Sequence, residues 1–156
     1  MIQFSLSVIA ILVFALALFV WRARPESEVN CSFAAFTVLV ALWVMGIAAF
    51  HSGTYLDIWA RSIFAVASFL PATFLAFARH YPSRFRWPTL LTLRLNYLVA
   101  SLFAGLALFT RSIVRNTALT PTGPTRELGS LYPSFAMYFL VVWIGAFVLL
   151  TVKWRH

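Results

Sequence analysis

The sequence predicts an all-α membrane protein. Five transmembrane helices form a bundle, with the N-terminus outside and the C-terminus in the cytoplasm, and a small extracytoplasmic β-hairpin lies between the fourth and fifth. Three observations predict this. Hydrophobic residues make up 62% of the chain and charged residues only 10%, against about 25% charged in a soluble domain. The apolar residues fall into five runs, each long enough to cross a hydrocarbon core about 30 Å thick. The basic residues behind the net charge of +8 cluster at the ends of those runs. The 156 residues read as a single helical transmembrane domain.

The first span, residues 2–21, is almost all Ile, Leu, Val, Phe and Ala. Gln3, Ser5 and Ser7 lie near its start, and Trp21 closes it as an interfacial aromatic. No basic region precedes it, and Arg22 and Arg24 follow it. This predicts a retained helix rather than a cleaved signal peptide. In the turn at 22–30, Pro25 stops the helix, and Asn30 or Ser32 can cap the next. The second span, 31–50, carries Trp43 and Gly46. A tight turn at 51–56 has no Lys or Arg.

The third span, 57–81, opens on Asp57 and Arg61 at i, i+4 with the acid first, the better order for a helical pair. Pro71 sits mid-span, tolerable in a bundle where neighbouring helices can satisfy the carbonyl it frees. A basic aromatic linker, PSRFRWP, occupies 82–88. The fourth span, 89–110, has Arg94 at its basic end and Asn96 one turn in. Residues 111–131 are the long polar loop. β-branched Ile113, Val114 and Thr117 precede the turn signal TPTGPT at 120–125, and 126–131 returns as a second strand. The fifth span, 132–152, has Pro133 in its first turn.

Orientation follows from the basic residues. Arg22, Arg24, Arg79, Arg84, Arg86, Arg94, Lys153 and Arg155 lie on one side. Arg111, Arg115 and Arg126 lie on the other, with Arg61 just inside the membrane. The richer side is cytoplasmic. The same clustering points to anionic lipid as the partner of the charge. Nucleic acid would need a basic face with stacking aromatics on a soluble surface.

Catalytic chemistry is not visible. The four acids, Glu26, Glu28, Asp57 and Glu127, lie in loops or at a helix end, so no span carries the buried carboxylate of a proton-coupled pump. There is no HExxH, GxSxG, phosphate-binding loop or dinucleotide fingerprint. His51 lies across the membrane from His80 and His156 and cannot share a haem with either, and the lone Cys31 excludes an internal disulfide or CxxC site. No catalytic, cofactor-binding or metal-binding residue is expected. Arg61 has two readings: an interfacial arginine bridging Asp57 and lipid phosphate, or a polar anchor for a ligand or the outer loop. Pro71 is a static kink or a hinge. Asn96 suits a helix-to-helix hydrogen bond. The aromatic load packs, faces lipid, or lines a ligand pocket among spans two, three and five.

Three stretches resemble a known family, the N-terminal seven-transmembrane region of bacterial sensor histidine kinases. They are FAAFTVLVALWVMG at 33–46, WARSIFAVASFLPATFLAFARHYP at 59–82 and LTPTGPTRELGSLYPSFAMY at 119–138. The positions that match its motifs are Arg61, Pro71, Gly123, Gly129, Tyr132 and Pro133. The resemblance implies a membrane input module of two-component signal transduction, here with five spans of seven and without the phosphoacceptor and ATP-binding regions. No kinase activity carries over. It also implies a bacterial inner membrane location, a histidine kinase or response-regulator pathway as partner, and a homodimer as a candidate assembly. A small multi-pass transporter or channel subunit, or a membrane redox-cofactor or enzyme subunit, are the alternatives.

Overall fold

A computed structural model of the chain describes residues 2–81 and 88–155. The linker expected at 82–88 therefore lies, Pro88 excepted, outside the described residues, as does His156. Five helices are long and apolar enough to cross a membrane, with one two-stranded antiparallel sheet. The helices are α1 (Ile2–Ala23), α2 (Glu28–Phe50), α3 (Leu56–His80), α4 (Leu90–Phe109) and α5 (Tyr132–Trp154); the strands are β1 (Val114–Thr120) and β2 (Gly123–Leu128). The expected spans reappear with their ends moved by a few residues. The largest shift is at α2, which begins at Glu28 because Ser27, rather than Asn30 or Ser32, is its N-cap: the Asn30 backbone N–H donates to Ser27 Oγ at 3.4 Å. Asn30 instead spends its side chain on the first helix, donating from Nδ2 to the Val20 carbonyl at 3.1 Å.

The helix α3 is the centre. It packs against α2, α4, α5 and β1, while α1 packs against α2. The most apolar window of α3 is 61% buried, against 11% for α1. That ordering follows from composition: α3 carries the small and polar residues, and α1 carries the Leu, Ile and Phe that lipid accepts. Alanines make many of the close approaches between helices. Ala10 and Ala17 of α1, Ala34, Ala41 and Ala48 of α2, and Ala100, Ala104 and Ala107 of α4 are all buried. In a bilayer there is no hydrophobic drive to turn bulky apolar side chains inward, and small ones let backbones approach. The apolar core divides in two. One cluster gathers Phe50, Ile63, Phe64, Phe135, Ile113 and Val114 at the hairpin end; the other gathers Leu75, Ala78, Leu93 and Leu149 at the opposite end.

The hairpin is tighter than the sequence suggests. Thr120 pairs with Gly123, leaving Pro121-Thr122 as the loop, so β2 starts inside the expected turn. Gly123 has φ +124, open to glycine and strained for other residues. A register shift between Val114 and Asn116 bends β1. Its base is inserted in the bundle, with Ile113 and Val114 both at 0% exposure. Two backbone bonds lock that base: Gly129 N–H to the Ile113 carbonyl and Leu131 N–H to the Ser112 carbonyl, each 2.8 Å. Gly129 is held so close that a Cβ there would fall onto the Ser112 carbonyl.

Gly129→Ala should therefore lower the thermal midpoint in detergent, with a cost of about 1–3 kcal/mol from overpacking. Gly105→Ala, where an added Cβ meets nothing within 4 Å, should not destabilise. Equal midpoints for the two variants would disprove the close approach.

Candidate functional site

Beneath the hairpin lies a cavity of about 490 Å³. Trp43 of α2, Ile63, Phe64 and Ala67 of α3, and Tyr132, Phe135, Ala136, Phe139 and Leu140 of α5 form its walls, and Arg126 and Leu128 of β2 roof it. These are the three spans whose aromatics the sequence singles out. Side-chain alternation puts Arg126 and Leu128 on one face of β2 and turns Glu127 to the other. The Arg126 guanidinium lies over the Phe64 ring at 5.0 Å and the Phe50 ring at 6.0 Å. Among the described residues it is the only charged side chain lining the cavity. Phe64 also meets Tyr132 and Phe135 edge to face, which fixes the rings that hold the arginine. Further from the hairpin, Trp143 stacks on Phe74 at 4.4 Å and abuts Phe36, closing the space between α2 and α5.

Arg61 does not line the cavity. Its Nη1 donates to the carbonyls of Leu108 at 3.3 Å and Thr110 at 3.1 Å. It thus closes the end of α4, where backbone carbonyls lack partners and the helix dipole favours a cation. The geometry holds an element of each reading: the contact with Asp57 and the tie to the end of α4 that leads into the loop after it. Asp57 Oδ2 stands 2.9 Å from Arg61 Nε, but the N–H does not point at it, so the contact is ionic rather than a directed hydrogen bond. Asp57 is 55% exposed and Arg61 15%.

Lys153, which by its place in the sequence is one of the basic residues that set orientation, repeats the device at the other side of the bundle. It is 7% exposed. Its Nζ donates to the carbonyls of Ala78 at 2.8 Å, Arg79 at 2.7 Å and Tyr81 at 3.1 Å, capping α3. Nearby, His80 Nε2 is 3.6 Å from Glu28 Oε2, joining the ends of α3 and α2.

The remaining candidates separate. Pro71 is fully buried in α3, and leaves the Ala67 carbonyl without its i+4 donor. One residue on, Tyr138 of α5 donates its hydroxyl to the Ser68 carbonyl at 3.1 Å. Asn96 donates back to the Thr92 carbonyl of its own helix at 2.9 Å, a different bond from the interhelical one expected. Gly123 and Gly129 shape the hairpin, Tyr132 lines the cavity, and Pro133 sits in the first turn of α5. Cys31 contacts the Pro25 carbonyl through Sγ at 3.0 Å. Among the described residues no three His, Cys, Asp or Glu side chains gather as a metal site.

Compared with protein-family models, with curated proteins and with solved structures, the chain finds no match in any of the three.

The two caps differ in what their loss does. Lys153→Met removes three charge-assisted bonds and leaves the buried Ala78 carbonyl and two part-buried ones open, and should cost at least about 2 kcal/mol. Asp57→Ala removes only a half-exposed acid, worth about 0.2–1 kcal/mol, because the cap that Arg61 forms on α4 remains. Thermal unfolding of both variants in one detergent checks this; a larger loss for Asp57→Ala than for Lys153→Met contradicts it.

Proposed function

We propose that the chain is a sensory input module of a bacterial inner membrane, feeding a histidine kinase or response-regulator pathway. The observation that carries this reading is the cavity between α2, α3 and α5, roofed by the hairpin and lined by one cation. A pocket of about 300–1,000 Å³ with apolar walls and few polar groups is the usual form of a small-molecule site. The described side chains that line it are apolar or aromatic apart from Arg126, a set suited to binding. It also adjoins a helix that can respond. Ala67 lines the cavity one turn before Pro71, and the Tyr138 to Ser68 bond joins α5 to that same turn. A ligand that spreads α5 from α3 strains this bond, and α3 carries the change along the bundle to the Lys153 cap. The similarity of Arg61, Pro71, Gly123, Gly129, Tyr132 and Pro133 to the sensor-kinase input region supports the same reading. In this arrangement the hairpin faces outside the cytoplasm, and the Lys153 end faces the cytoplasmic partner.

Two measurements test the reading. A reporter fused after residue 155 should be active only in its cytoplasmic form; activity confined to the exported form would reverse the orientation. In a chimera joined to a kinase domain, filling the cavity with Ala136→Trp should change output at least about fivefold at equal membrane level, the lower end of ordinary coupling between sites. Wild-type output from that variant would remove the cavity from signalling.

A further inference from the structure

The cavity has a polarity axis, and that axis names a ligand class. Its roof is the Arg126 guanidinium, and its walls below are aromatic and aliphatic. From Tyr132 to Leu140 the wall formed by α5 runs about 12 Å at 1.5 Å per residue. The far edge is open sideways: Leu140 lines the cavity yet is 56% exposed, on a helix face that lipid would cover. An occupant can therefore enter from the bilayer, tail first or sideways, and place its head at the hairpin.

An anion is the head that suits this roof, where Arg126 stands on the exposed stretch of β2. Arg126 has no ion-pair partner among the described residues, and Glu127 does not line the cavity. Held by its face over Phe64 and Phe50, the guanidinium keeps its edge N–H donors for an oxyanion, the planar match that arginine makes best. One cation suits a single negative charge. A carboxylate carries one, whereas a phosphate monoester carries about 1.5 to 2 at neutral pH. About 490 Å³ accommodates one chain, not the two of a diacyl phospholipid. We infer that the cavity binds the carboxylate form of a medium-chain fatty acid, its head on Arg126 and its tail along α5. This rests on the proposal that the cavity is the input site, and gives that site its ligand.

The test is equilibrium binding of labelled decanoate and of decanol to the purified full chain in neutral detergent. Decanoate should bind saturably at one per chain and at least about tenfold more tightly than decanol, the worth of one charge-assisted contact. Arg126→Ala should erase that preference by weakening decanoate alone. Ala136→Trp should abolish binding of both, and Leu140→Trp, at the lipid-facing edge, gives the same reading if the first variant does not fold. Equal binding of the two probes to wild type, a preference that survives Arg126→Ala, or no saturable binding would each overturn the inference. Decanoate bound as expected but without effect on the output of the kinase chimera would instead sink the sensory reading and leave the site standing.

Discussion

Inside a bilayer no water completes the backbone, so every helix end buried there needs a partner from the protein itself. Two cations meet that demand here. Arg61, carried by α3, closes the end of α4, and Lys153, carried by α5, closes the end of α3. The caps lie at opposite sides of the bundle and both involve α3. They fix the height of α4 and α5 against the central helix, which the alanine contacts alone would leave free to slide. The cavity depends on that registration, because Phe64 and Ala67 must stand level with Tyr132, Phe135 and Ala136 to form its walls.

Much of the fold was legible because the bilayer simplifies the reading. Spans are set by length and apolarity, and all five reappear. The hairpin was legible from TPTGPT and its β-branched flanks, although the two-residue loop was not, since Thr120 and Gly123 pair beyond the local turn signal. The helix caps were harder. Nothing local marks Lys153 as buried: its place at the end of an apolar run reads as a topology charge, and its partners lie more than seventy residues away. Arg61 stands out in the sequence because it follows Asp57 by four, yet its hydrogen-bond partners come from the end of α4.

The cavity was legible only as one of several uses the aromatics of spans two, three and five could serve. Its roof was not legible. Arg126 reads as one of three basic residues in a polar loop, and only the fold-back of β2 sets it over Phe50 and Phe64. The alanine contacts were likewise hidden, because alanine counts as apolar in any hydropathy reading. What distinguishes it in a membrane is size, and size governs approach between helices rather than burial from water.

The Lys153 cap also sets an order of assembly. During insertion α3 enters the membrane with its last carbonyls open, and neither α2 nor α4 supplies the three bonds that Ala78, Arg79 and Tyr81 receive from α5. The Arg61 contact can close as soon as α4 arrives. The opposite end of α3 waits for the fifth helix, and until then water and lipid headgroups must stand in for Lys153. The central helix, third in the chain, is thus completed only by the fifth.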